Sequence, residues 1–211
     1  MNKVGFITFA TNDYKEKYYK DFVQSVRVHV PFVAEIILFE NPKLPKPLNT
    51  LLRYWWIDKA REQFIKDGFT HLYMIDVDTK FVNDVSVEEI IGDLVAVQHC
   101  GYVGKPNFVY PIDPRLDNGN KERYYGGGFI GGKTDTFLEL CSRISHITET
   151  FLENKSIPIW DDESMLNAML NTVMRPTKVL DPSFHYPDHP ERYIKEIWGR
   201  DYTPKLILIT K

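Results

Sequence analysis

The sequence has little cysteine: two residues in 211, Cys100 and Cys141. Two thiols cannot build a disulfide framework, so an apolar core has to hold the fold, and a reducing compartment suits it. There is no excess of basic charge either. Lysine and arginine total 26 against 29 acidic residues, a formal net charge of −3. A bulk nucleic-acid binder usually carries a basic face, so no nucleic-acid partner is expected. No apolar run approaches the roughly 18 residues of a membrane span, and the N-terminus lacks a signal-peptide pattern. A soluble cytoplasmic protein without a membrane span is therefore expected. Internal repeats and low-complexity segments are missing too, which leaves a globular domain.

What is present supports that. The length fits one domain, or one with a small lobe, and can bury a sizeable core. Hydrophobic residues at 43% and charged residues at 26% are ordinary for a soluble chain. Aromatics at 14% are plentiful, and such rings often line sites for flat bases and sugars.

One stretch organises the rest: Leu72-Tyr73-Met74-Ile75 running into Asp76-Val77-Asp78. The apolar run suits a buried strand of a parallel sheet, and alternation along a strand would aim Asp76 and Asp78 the same way. Ligands collect outside the carboxyl ends of such strands. Two hard oxygen ligands there could hold Mg2+ or Mn2+ and, through it, a phosphate. A solvated strand end carrying two acids is the plainer alternative.

The chain before it predicts a strand over residues 4–10, a helix over about 14–29 and a strand over 35–39. A stiff proline loop over 41–47 and a helix to about 66, stopped by Gly68, follow. This β-α-β-α-β order points to an α/β sandwich with a mainly parallel sheet flanked by helices. After it come a strand over 93–98, a loop over 101–121, a glycine-rich loop over 126–132 and a helix over about 134–153. A helix from about 164 to 170, a short strand over 177–180 and an apolar run over 206–209 complete the chain.

Three constellations carry chemistry. Residues 127–134 satisfy the G-x-x-x-x-G-K-[ST] pattern, in which Lys133 and Thr134 would serve a bound nucleotide. The preceding segment is not an apolar central strand, and glycines that merely let the backbone turn or approach a ligand are the alternative. Trp160-Asp161-Asp162-Glu163-Ser164 joins a stacking ring to three carboxylates. These acids could complement a helix dipole, or raise one another's pKa and act on an electron-poor carbon while binding hydroxyls. Arg53 lies in an aromatic-rich helix face, where a snorkelling surface role is the usual one, and His99 follows a strand end.

Taken together and in order, these segments resemble glycosyltransferase family 6. The residues that carry the resemblance are Tyr73-Met74-Ile75-Asp76-Val77-Asp78, Gly92-Asp93-Leu94-Val95 with His99, and Tyr124 through Gly132. Trp160-Asp161-Asp162-Glu163-Ser164 with Leu166-Asn167, and Pro176-Thr177-Lys178-Val179-Leu180, complete the set. The resemblance implies a GT-A type fold with a Rossmann-like nucleotide-sugar half over about 1–98 and an acceptor-binding, catalytic half over about 99–211. It implies a retaining α1,3-glycosyltransferase that moves GalNAc or galactose from a UDP-sugar to a galactose-containing glycan acceptor, with Mn2+ (or Mg2+) as cofactor. A catalytically weak UDP-sugar-binding protein and a P-loop NTPase are the alternatives.

Residue by residue, Phe9, Ala10, Thr11 and Tyr14 match positions that hold uridine, and Arg53 matches a donor contact. Asp76, Val77 and Asp78 match the DxD segment, whose two aspartates hold the metal and the diphosphate. Gly126, Gly127 and Gly128 match positions flanking the donor sugar's C2 substituent, and the small size of Gly126 and Gly128 favours UDP-GalNAc. Asp162 matches a further donor-sugar contact. His99, Trp160, Asp161 and Glu163 fall on the acceptor side, and Glu163 matches the catalytic glutamate. Asp161 and Met165 stand where the family usually has histidine. An acidic acceptor contact aligns with Pro187 or Asp188, and Lys205 or Lys211 would replace a basic C-terminal tail. The absence of an anchor fits a bacterial or phage-type member.

Overall fold

The computed structural model describes residues 2–40, 44–103, 115–116 and 123–209. Among them the chain forms strands β1 (Val4–Ala10), β2 (Val33–Glu40), β3 (His71–Ile75), β4 (Thr79–Phe81) and β5 (Leu94–Gln98). Further along come β6 (Tyr125–Lys133), β7 (Lys178–Leu180), β8 (Tyr186–Pro187) and β9 (Leu206–Leu208). The principal helices are α1 (Lys20–His29), α2 (Arg53–Lys59), α3 (Thr134–Glu153) and α4 (Asp161–Thr172).

Six strands make one sheet in the order β2-β1-β3-β6-β5-β7. β1 pairs in parallel with β2 and β3, and β5 with β7, while β6 runs antiparallel to both β3 and β5. The sheet is mainly parallel and is covered on both faces, which explains the unbroken apolar runs. Along β3, Leu72 and Met74 join one core with Tyr54, Phe137, Ile144 and Leu166. Tyr73 and Ile75 join the other, with Phe6, Phe22, Phe81 and Leu206. Side-chain alternation thus sorts one strand between two helical layers.

The expected helices appear with local departures. A π-helical turn, Lys15–Tyr19, precedes α1. The helix expected up to residue 66 is three pieces, Leu48–Leu51, α2 and Arg61–Lys66. The loop expected over 101–121 lies largely outside the described residues.

The main correction concerns the glycines. Residues 126–132 were expected as a loop; they form most of β6, an inner strand of the sheet. Glycine suits this strand because its neighbours need the space. A Cβ on Gly131 would lie 2.2 Å from the Leu72 carbonyl oxygen and 2.5 Å from the Tyr73 ring. The thin strand lets the bulky side chains of β3 cross it, so packing overrides glycine's poor strand propensity.

A second sheet, β4-β9-β8, begins directly after Asp78. It converts the terminal apolar run into a strand and brings Ile209 to Asp78, whose carbonyl oxygen accepts the Ile209 N–H at 3.0 Å. Both cysteines are buried and unbridged. No helix among the described residues is long and apolar enough to cross a membrane.

Candidate active site

β3 delivers two carboxylates to a cleft, although not in the way alternation suggests. The strand ends at Ile75, and residues 77–78 form a turn around buried Val77. The Asp76 N–H still donates to the Gly128 carbonyl oxygen at 3.0 Å, and the Thr79 hydroxyl closes the turn on the Asp76 carbonyl at 2.6 Å. A turn, not a strand face, therefore opens both Asp76 and Asp78 onto the same cleft.

The cleft has two continuous compartments. Phe9, Ala10, Thr11 and Tyr14, at the end of β1, line the first with Arg53, Asp76, Val77 and Asp78. Lys46, Asn49 and Thr50 complete this wall, and sequence patterning did not single them out. The second compartment, about 600 Å³, shares Thr50, Arg53, Asp76 and Asp78 and adds His99, Gly127, Gly128, Trp160, Asp161, Asp162, Glu163 and His185. A cavity of that size accommodates a sugar-sized ligand. Of the residues between Phe9 and Glu163 matched to donor, metal, acceptor or catalytic positions, Gly126 alone lines neither compartment.

Arg53 is not a snorkelling surface residue. It is 9% exposed and ties the two carboxylate groups together. Its Nε and Nη2 donate to Asp162 Oδ2 at 3.0 and 2.6 Å, and its Nη1 pairs with Asp76. Burial opposes the charge on Arg53, but Asp162 and Asp76 overcome it and hold its pKa above the ordinary value. Asp162 is itself buried, which pushes its carboxyl up to about 6 against the pull of Arg53.

Glu163 stands beside them. Tyr124 OH donates to its Oε1 at 2.5 Å and the Gly127 N–H to its Oε2 at 2.9 Å. Burial pushes the Glu163 carboxyl up to about 7 in spite of these two bonds, with Asp162 and Asp76 adding to the rise. A carboxylate with so high a proton affinity is poised to interact with positive charge developing nearby.

Glu163 is placed by a match between two periodicities. Asn167 accepts from Tyr125 N–H at 2.8 Å and donates to Tyr125 C=O at 2.9 Å. Asn171 accepts from Arg123 N–H at 3.3 Å and donates to Arg123 C=O at 2.9 Å. Residues 163, 167 and 171 of α4 thus grip residues 127, 125 and 123. Four helical residues advance about 6 Å and two extended residues about 6.6 Å, so the two rows stay in step. α4 itself starts from Asp161, whose φ of 46° is left-handed, a conformation aspartate tolerates better than most residues.

On the other wall, His99, Cys100 and His185 bring three ligand-type atoms within 4.8 Å of one another. His99 Nδ1, however, accepts the Gly101 N–H at 3.0 Å, which leaves the proton on Nε2. Burial also raises the Cys100 thiol to about 12. A protonated imidazole edge and an un-ionised thiol make poor metal ligands. The hard oxygens of Asp76 and Asp78 are the better set.

The remaining candidates fall elsewhere. Pro187 is buried in β8, paired with Leu208, and Asp188 is exposed beside it. Lys205 does not line the cleft; its ammonium donates to the Asp84 carbonyl at 2.5 Å and pairs with Glu89 at 3.2 Å. Lys211 lies outside the described residues. The P-loop pattern fails structurally, because residues 127–133 lie within β6, where 129–133 pair with β3 and 130–132 also with β5. Lys133 pairs with Asp93 at 2.6 Å, and the Thr134 hydroxyl donates to the Phe69 carbonyl at 2.7 Å.

Comparison with known proteins agrees with this geometry. The model of glycosyltransferase family 6 matches residues 50–197, a span holding Arg53, both cleft aspartates, His99, Asp162 and Glu163. The O-antigen biosynthesis glycosyltransferase WbnI of Escherichia coli is 28% identical over 162 residues, 74% of this chain and 68% of that protein. The globoside alpha-1,3-N-acetylgalactosaminyltransferase 1 of Gallus gallus is 32% identical over 127 residues, 56% of this chain. The match spans only 36% of that protein's length.

Proposed function

The chain belongs to glycosyltransferase family 6, and on that premise we propose that it is a retaining α1,3-glycosyltransferase. It moves GalNAc, or galactose, from a UDP-sugar to a galactose-type acceptor. The observation that carries this is the placement of Glu163 in one cleft with Arg53, Asp76 and Asp78. The names of the relatives, an O-antigen glycosyltransferase and an α1,3-N-acetylgalactosaminyltransferase, support the same reaction class.

The first compartment takes the nucleotide, with the aromatic rings of Phe9 and Tyr14 against the base. Asp76 and Asp78 fit a divalent cation of the Mn2+ or Mg2+ kind. Both offer hard oxygens to one cleft, and Gly128 keeps side-chain bulk away from Asp76, since a Cβ there would come within 3.4 Å of Oδ2. Such an ion supplies positive charge against which a diphosphate leaving group is stabilised. Arg53 adds a permanent positive charge at the same place and fixes the rotamer of Asp162. Asp162 is positioned to bind donor-sugar hydroxyls.

Glu163 serves the anomeric carbon. In its ionised form it faces the positive charge of an oxocarbenium-like carbon and either stabilises it or attacks it. Tyr124 OH and Gly127 N–H fix both carboxylate oxygens, so little reorganisation is needed as charge develops. The acceptor approaches over Trp160, which is 45% exposed at the cleft mouth, and past His99. Gly128 leaves room beside the donor, which favours UDP-GalNAc over UDP-Gal.

Incubation with radiolabelled UDP-GalNAc or UDP-Gal, Mn2+ and a panel of plain and fucosylated galactosides tests the reading. Transfer to a galactoside, faster from UDP-GalNAc, is expected. Tight UDP-sugar binding without transfer to any member would instead identify a binding protein, and a clear UDP-Gal preference would reverse the donor assignment.

A further inference from the structure

His185 is a histidine that none of the roles above uses. It follows the single turn Pro182–Phe184, is 6% exposed, and lines the second compartment with His99, Trp160 and Glu163. Its Nδ1 is enclosed and has no hydrogen-bond partner among the described residues. An enclosed polar nitrogen without a partner is destabilising, and an apolar side chain of similar shape would avoid that cost. Nδ1 is enclosed, so Nε2 is the nitrogen left to meet a ligand in the compartment that His185 lines.

The surroundings are shaped for that ring. Gly126 stands where a Cβ would lie 2.4 Å from both Cδ2 and Nε2 of His185, so any other residue there would displace the imidazole. The His99 ring packs against it with centroids 4.7 Å apart. Burial holds His185 down to about 4, and burial together with His185 holds His99 well below its ordinary value. The pair is uncharged at neutral pH, which suits recognition of hydroxyls and not of anions. His185 lines only the second compartment, away from the nucleotide wall formed by Phe9 to Tyr14.

We propose that His185 is a specificity-determining residue for the acceptor, an imidazole that hydrogen-bonds a hydroxyl of the acceptor sugar, seated by Gly126 and braced by His99. This rests on the transferase reading and gives Gly126 a different duty from one beside the donor sugar. The small residue makes room for His185.

Steady-state kinetics with methyl β-galactoside as the acceptor probe, run on three variants, tests the assignment. His185→Phe keeps a ring and removes both nitrogens. It should raise the acceptor KM about tenfold while the donor KM moves less than about twofold. His185→Gln should recover part of the loss. Gly126→Ala keeps the histidine but displaces its ring, and should raise the acceptor KM in the same direction. Thermal melting identifies any variant that fails to fold, and the other two then decide. A folded His185→Phe protein with the wild-type acceptor KM, or with donor and acceptor KM rising together, would overturn the assignment while leaving the transferase intact. Wild-type protein that transfers to no galactoside would remove the transferase reading and this one with it.

Discussion

Arg53 holds Asp162 through two nitrogens on a single oxygen, with Nε 3.0 Å and Nη2 2.6 Å from Oδ2. The third nitrogen, Nη1, pairs with Asp76, so one buried guanidinium joins α2, α4 and the end of β3. Arg53→Met keeps the bulk and removes the charge, leaving Asp162 buried without its counter-ion. Breaking such a pair costs about 3–5 kcal/mol. Urea unfolding should therefore show a lower midpoint, and Arg53→Lys should recover little, because an ammonium lacks the planar fork that spans both partners. A midpoint unchanged in Arg53→Met would mean that Asp162 finds another partner.

The Tyr124–Glu163 hydrogen bond predicts a pH effect. Burial sets the Glu163 carboxyl near 7, and Tyr124 OH opposes the rise by favouring the ionised form. If the ionised form is the active one, kcat/KM rises with pH along an acid limb near that value. Tyr124→Phe removes a bond to the charged form, so the limb should move to higher pH. A limb that stays put or moves down would contradict the role given to Glu163.

Glu163→Gln should cut transfer about 10²–10³-fold, the usual size for a group acting in the transition state. It should also stabilise the protein, in a pH-dependent way. The folded pKa of about 7 exceeds the ordinary 4.5, so the folded state binds the proton more tightly between those values. That contribution is complete below the lower value and is lost as pH rises through the higher one. The melting temperature of Glu163→Gln relative to wild type should therefore be higher at pH 8 than at pH 4.5. A pH-independent difference would indicate that Glu163 is not held above its ordinary pKa.

Much of the layout follows from local pattern. The apolar runs of β1, β3 and β5 are legible because each is buried on both faces, and α3 appears over the same residues, 134–153, that its periodicity indicates. The motif residues at the end of β3 and the start of α4 were legible too, as acids closely following apolar or aromatic residues. β6 was not. Its five glycines carry no strand propensity, and only neighbours distant in sequence explain them: Tyr73 and the Leu72 carbonyl at Gly131, His185 at Gly126 and Asp76 at Gly128. His185, Lys46, Asn49 and Thr50 were also missed, because they reach the cleft through long-range packing that spacing along the chain does not encode. One signal was available. Glu163, Asn167 and Asn171 recur every four residues on a helix whose Asn167 is fully buried, and a buried polar stripe needs backbone partners.

Metal dependence is the next prediction. Asp76 and Asp78 are the pair proposed to hold the cation, so Mn2+ binding in the presence of UDP, followed by electron paramagnetic resonance, should weaken in both Asp76→Asn and Asp78→Asn. Transfer should stop in EDTA and return on adding Mn2+. Full activity in EDTA would rule the metal out.

The configuration of the transferred bond reaches furthest. The proposed roles, with Glu163 serving the anomeric carbon and Arg53, Asp76 and Asp78 holding the leaving group, predict retention. Proton NMR of the product from UDP-GalNAc and methyl β-galactoside should show a new α-linked residue on the acceptor 3-hydroxyl, with the small anomeric coupling of an axial bond. A β-linked product, with its large coupling, would contradict it.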